Sequence, residues 1–260
     1  MLKRFIVFLY GIGCYVVFFA TYLYAIGFVA NVFVPRTMDG PPKAGFANSL
    51  IIDLALLLLF ALQHSVMARP RFKDWWTRYI PEPAERSTYV LASSLALIAL
   101  FVHWHPLGGT VWSVQDPRVV TALYGLCAFG WLLVLVATFL INHFDLFGLR
   151  QVWLFLHGLP YRPVGFRMPI AYRIVRHPLY LGFLFAFWAT PTMTATHLLF
   201  AVATTAYILV AIQLEERDLI ASLGEAYGEY RRHVPMLIPF ARRTAQRRAA
   251  GRNVRGSATL

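Results

Sequence analysis

Tyr172-Arg173-Ile174-Val175-Arg176-His177-Pro178-Leu179-Tyr180-Leu181-Gly182 opens a stretch that turns apolar and closes on Glu215-Glu216-Arg217-Asp218-Leu219, then Val234-Pro235-Met236-Leu237-Ile238-Pro239. The apolar block between the charged clusters, 178–214, has 37 residues. As one straight helix it would reach roughly 55 Å at about 1.5 Å per residue, against a hydrocarbon core of about 30 Å. It must bend back, and Pro191, set among Thr190, Thr192, Thr194 and Thr196, is the natural turn. The block is therefore a membrane hairpin, its first arm short enough to be tilted or to reach only part-way. Its two ends return to one boundary, where the cationic and acidic clusters meet.

The composition agrees. Hydrophobic residues make up 58% of the 260 and charged residues 14%, which excludes a soluble domain of useful size. Backbone polar groups must be satisfied internally in lipid, so the fold class is all-α: a polytopic transmembrane helical bundle of about six membrane segments including the C-terminal hairpin. The first apolar run is too long for a signal h-region, lacks a small-residue cleavage site, and is a retained helix. Cys14 and Cys127 each lie alone in an apolar run and are packing residues. His103 and His105, two apart, share no helix face, and no metal site is expected. Gly11-Ile12-Gly13 lacks a third glycine and a preceding strand, so it marks close helix packing rather than a nucleotide loop.

Taken in order, helices are expected over 5–34, 46–67, 88–104 and 119–141, followed by the hairpin. Asp53 and Gln63-His64-Ser65 interrupt the second, and Trp75-Trp76 in the basic loop 69–86 reads as an interfacial anchor. With alternate loops on opposite sides, 21 of the 24 Lys and Arg fall on one side and only Arg36, Lys43 and Arg118 on the other. The positive-inside rule then places both termini in the cytoplasm. It also accounts for the net charge of +12 without nucleic acid. Residues 1–150 form the N-terminal helices, 151–240 the motif region, and 241–260 a basic tail expected to be disordered and held near anionic lipid.

Chemistry belongs at the hairpin's ends. Arg173, Arg176 and His177 precede the helix-compatible Pro178, and such an N-terminus favours an anion. Gly182 leaves one face thin for a neighbour or ligand. Glu215 and Glu216 return to the same boundary; a plain interfacial salt bridge, Arg176 with Glu216, is the competing reading. Leu219, Ile220, Leu223, Tyr227 and Tyr230 fall at helical spacing and offer an apolar roof. His64, with Asn142, His143 and Asp145, adds polar positions near that boundary. His64 reads equally as a site residue and as a satisfied core histidine.

Arg176-His177-Pro178-x-Tyr180-x-Gly182, the hairpin, Glu215-Glu216, Gly224-x-x-Tyr227-x-x-Tyr230 and Val234-Pro235-x-x-x-Pro239 together resemble the isoprenylcysteine carboxyl methyltransferase superfamily of membrane methyltransferases. Gln63-His64-Ser65-Val66-Met67-Ala68-Arg69, Glu85-Arg86-Ser87-Thr88-Tyr89, Asn142-His143-Phe144-Asp145-Leu146-Phe147-Gly148-Leu149-Arg150-Gln151 and Phe187-Trp188-Ala189-Thr190-Pro191-Thr192-Met193 resemble the bacterial methanethiol S-methyltransferase family within it, and also NnrU-type proteins. The resemblance implies an inner-membrane enzyme that uses S-adenosylmethionine (SAM), without a Rossmann domain, to methylate methanethiol to dimethyl sulfide, with hydrogen sulfide as a smaller acceptor. It implies that Arg173, Arg176 and His177 hold the methionine carboxylate. Glu215 or Glu216 would take the ribose hydroxyls or amino group, and Tyr180 would face the sulfonium, with Pro178 and Gly182 completing the cofactor motif. His64 and His143 are then candidate bases for the thiol, with Asp145 as an orienting partner. The rivals are a larger acceptor, such as a prenylated cysteine or phospholipid amine, and a non-catalytic NnrU-like membrane protein.

Overall fold

The computed structural model describes residues 1–163 and 168–239; the basic tail expected over 241–260 lies outside the described residues. Among the described residues, five helices are long and apolar enough to cross a membrane: α1 (Leu2–Ala30), α2 (Phe46–Met67), α4 (Glu85–His103), α5 (Pro117–Ile141) and α10 (Ala195–Leu223). Short α3 (Pro70–Trp76), α6 (His143–Leu146), α7 (Leu149–Leu156), α8 (Ile170–Ile174) and α11 (Glu225–His233) carry the boundary segments. The sixth apolar helix, α9 (Pro178–Trp188), has 11 residues. At about 1.5 Å per residue it covers roughly half the hydrocarbon. Leu54, Leu58 and Leu62 on one face of α2 are exposed, as a lipid-facing stripe would be. The chain is a multi-pass helical membrane protein.

Local chemistry sets the boundaries. Helix α1 stops at Ala30, short of the expected 34, because Asn31 takes a left-handed conformation (φ 59°) and its N–H caps Gly27 O. Asp116 caps α5 through its side chain, with Pro117 at the first helical position. Asp53, the polar interruption of α2, is buried and accepts the His105 N–H at 3.0 Å, which ties the end of α4 to α2.

The hairpin does bend around Pro191, but its first arm packs chiefly on α5 rather than on α10. The cause is a pair of facing glycines. A Cβ at Gly182 would meet Gly130 O at 2.7 Å, and one at Gly130 would meet Gly182 O at 2.6 Å. Beyond Trp188 the chain forms β2 (Thr192–Thr194), antiparallel to β1 (Thr110–Ser113) with Trp112 opposite Met193. At the end of α9, Cys127 Sγ answers Ala186 O at 3.5 Å and His197 Nε2 answers Phe187 O at 2.9 Å. A cavity of about 470 Å³ lies past the end of α9, lined by Ala186, Cys127, Asp39 and His197 among others. The main core sits in this half, where Phe28, Phe101, Trp104, Trp131, Phe187 and Phe200 pack together.

Candidate active site

At the opposite boundary, α8 ends at Ile174 and Val175 is extended (φ −139°, ψ 149°), so Arg176 and His177 run as open backbone into Pro178 at the start of α9. The chain after α11 crosses over them: Arg176 N–H donates to Pro235 O at 2.9 Å and His177 N–H to Met236 O at 3.2 Å. The Arg176 guanidinium is buried. Its Nε and Nη2 each lie 2.7 Å from Glu216 Oε1, and its Nη1 donates to the carbonyls of Arg231 (3.1 Å) and Val234 (2.5 Å). His177 Nε2 donates to the same Glu216 oxygen at 3.1 Å, and Arg231 Nε reaches Oε2 at 3.0 Å. Every polar atom of this ion pair is answered by protein, as burial requires. The salt bridge between Arg176 and Glu216 is therefore present, and it locks the hairpin's two ends to the closing segment. Tyr230 adds to the lock, its hydroxyl donating to Tyr172 O at 2.6 Å. Burial, with the negative charge of Glu216, pushes neighbouring Tyr227 up to about 12.

Glu215 is different. Its side chain is 47% exposed, with Oε2 3.9 Å from His177 Nδ1. Tyr180 lies ring to ring with His177 at 5.7 Å and packs on Ile208 and Ile212 of α10. The Tyr89 hydroxyl is 2.9 Å from His64 Nε2, and Ser93 Oγ is 3.1 Å from His64 Nδ1. Ser65 Oγ meets Tyr207 OH at 3.2 Å, and Phe60 stacks on the imidazole at 5.2 Å. Since the Ser93 hydroxyl donates to Tyr89 O, it accepts from His64 Nδ1–H, leaving Nε2 to accept from Tyr89. Helices α2, α4 and α10 thus meet at His64, Tyr89 and Tyr207, and His177 links Tyr180 on α9 to Glu215 on α10. Arg173 is exposed, its Nε on Met168 O at 3.2 Å, while Pro178 is buried and Gly182 faces α5.

His143 and Asp145 belong to another cluster. His143 is buried against Phe139, rings stacked at 4.1 Å, with Tyr15 OH 2.7 Å from Nε2 and Thr138 Oγ1 2.8 Å from Nδ1. Thr138 donates its own hydrogen to Leu135 O, so Nδ1 carries the imidazole proton and Nε2 accepts from Tyr15. Burial pushes the His143 pKa below its ordinary value. The Asp145 carboxylate accepts from Arg150 at 2.9 Å and Tyr161 at 3.2 Å and does not touch His143. The structure sets His64 among Phe60, Tyr89 and Ser93, and does not pair His143 with Asp145. Tyr89 stands in the Glu85–Tyr89 motif without a site role, and Tyr207, the second tyrosine of the block 178–214, is not singled out by the sequence.

A polytopic helical membrane protein with a charged, tyrosine-lined surface where its hairpin ends meet is of the integral-membrane enzyme class. The chain is 56% identical over 239 residues to a methanethiol S-methyltransferase of Crocosphaera subtropica, covering 92% of this chain and 94% of that one. To that of Mycobacterium tuberculosis it is 52% identical over 242 residues, covering 93% and 99%. Bovine (Bos taurus) Nurim is 34% identical over 179 residues, covering 65% and 68%, and fits the wider isoprenylcysteine methyltransferase-like superfamily. No family model and no solved structure matches. The chain belongs to the methanethiol S-methyltransferase family.

Proposed function

We propose that the protein transfers a methyl group from SAM to methanethiol, giving dimethyl sulfide, at the surface shared by Glu215, Tyr180, Tyr89 and His64. The observation that carries this reading is the junction of α2 with α4 and α10, where Tyr89 reaches His64 at 2.9 Å and Ser65 meets Tyr207 at 3.2 Å, on the helix that carries Glu215 and Glu216. The residues present fit SAM. Glu215 offers a half-exposed carboxylate for hydroxyl or ammonium groups, Arg173 and His177 Nδ1 lie on the cationic side, and Tyr180 supplies an aromatic face for a sulfonium. Bound there, SAM supplies an activated methyl group. Arg176 and Glu216 act one step back, fixing the backbone that carries His177 and Glu215. The protein's work is alignment, exclusion of water and provision of a thiolate. Tyr89 takes the thiol proton and passes its own to His64 Nε2, since ordinary thiols ionise well above neutrality. A small apolar acceptor can enter from lipid, which suits a site at the membrane boundary.

The test is purified protein with methyl-labelled SAM and acceptors from hydrogen sulfide and methanethiol up to prenylcysteine. Label in dimethyl sulfide is expected; label only in large lipid-like acceptors would refute the reading. The basic asymmetry supports an inner-membrane topology with both termini cytoplasmic. Reporter fusions after Lys43 and Asp116 should then read external, and cytoplasmic signals from both would overturn it.

A further inference from the structure

Methyl transfer to a thiol needs negative charge on sulfur, yet the groups that touch His64, namely Tyr89, Ser93 and Phe60, are neutral. Several cations stand nearby. Arg69 is paired with Asp218 at 3.0 Å. Lys73 lies on α3 and feels the charges of Arg86, Glu85 and Arg69. Arg86, on the first turn of α4, is half-buried, with its Cζ 5.9 Å over the ring of Tyr89. Among the described residues no carboxylate forms a salt bridge with its guanidinium. That guanidinium stands over the ring whose hydroxyl reaches His64 at 2.9 Å.

We infer that Arg86 stabilises the thiolate acceptor, its guanidinium being the cation against which the sulfur's charge forms on the wall of Tyr89 and His64. The inference rests on the proposed thiol methylation. In the step, the thiol S–H bond breaks and its proton leaves through Tyr89 and His64 to water. The sulfur lone pair then forms the new S–CH₃ bond as the donor's S–CH₃ bond breaks, that electron pair staying on the donor sulfur. Arg86 opposes a lasting positive charge on His64, so the imidazole hands the proton on rather than keeping it. A preorganised cation of this kind lowers the free energy of the anion without reorganising during the reaction. At a separation of about 5 Å in a partly buried setting, it should lower the acceptor's ionisation midpoint by about one to two pH units.

Arg86→Gln and Arg86→Lys are compared with wild type, following methanethiol turnover against pH. Ionisation of isotope-labelled methanethiol bound with S-adenosylhomocysteine is followed by NMR. The Gln variant should move both midpoints alkaline by at least about one unit, with rate recovered at high pH, and the Lys variant should stay near wild type. Arg86→Met, which keeps the apolar stem over Tyr89, carries the same readout if the Gln variant does not accumulate. Unchanged midpoints in the uncharged variant, or a rise in SAM Kd with the midpoints fixed, overturn the inference while wild-type turnover leaves the functional reading standing. A wild type that methylates no thiol sinks both.

Discussion

Glu216 and Glu215 are neighbours in sequence, yet their burial assigns them opposite consequences. In Glu216→Ala the Arg176 guanidinium, only 4% exposed, keeps two carbonyl acceptors but loses its counter-charge, and His177 and Arg231 lose their acceptor as well. Leaving a buried charge uncompensated costs about 3–5 kcal/mol. At about 2–4 °C per kcal/mol for a chain of this size, Tm should fall by roughly 6–20 °C. Glu215, at 47% exposure, should cost less than about 1 kcal/mol on change to Gln. If its carboxylate holds SAM, however, loss of a charge-assisted hydrogen bond should weaken binding about tenfold to a hundredfold. The assays are thermal unfolding in detergent and SAM titration well below each variant's Tm. Equal thermal losses in the two variants, or SAM affinity untouched by Glu215→Gln, would refute the division between a structural and a binding carboxylate.

Gly182→Ala places a methyl 2.7 Å from Gly130 O and 2.9 Å from Val134, whereas Gly13→Ala meets nothing within 4 Å. The first should lower stability by about 1–3 kcal/mol and the second not at all, so indistinguishable melting curves would sink the glycine-contact account. His143 has its pKa depressed by burial, so between the folded value and the ordinary value near 6.5 the unfolded chain binds more protons. Its contribution to stability is complete above that ordinary value and is lost as pH falls through the window toward the folded one. His143→Gln should flatten the acid limb of Tm against pH, and an unchanged limb would show that another group titrates there.

Much of the bundle was legible because lipid permits few answers. Residues 46–67 were bounded as α2 runs, since an uninterrupted apolar run of that length has no other stable form in hydrocarbon. A 37-residue block must return to its starting side, which brings the charged ends to one boundary, but length does not choose between a salt bridge and a ligand site; the structure pairs Arg176 with Glu216. Less visible was anything decided by partners distant in sequence. That α9 chooses α5 depends on Gly130 facing Gly182, and no local pattern tells a packing glycine from one cleared for a ligand. The pairing of Thr110–Ser113 with Thr192–Thr194 joins two segments too short to carry a period. His143 and Asp145, two residues apart, suggested a shared task, but one turn of α6 sends them to Tyr15 and Arg150 respectively. His64 keeps both readings, since Tyr89 and Ser93 answer its ring nitrogens as they would in a core histidine.

The crossing of residues 234–236 over Arg176 sets an order of events during synthesis. The membrane spans α1, α2, α4 and α5 leave the ribosome first and can insert on their own hydrophobicity. Arg176 emerges next, then waits until Glu216 and finally the carbonyls of Arg231 and Val234 arrive. The enzyme's chemistry is thus withheld until nearly the whole described chain has been made. A nascent chain stalled before Val234 would be a membrane protein with an open seam, an exposed mark by which a protease could tell unfinished copies from finished ones.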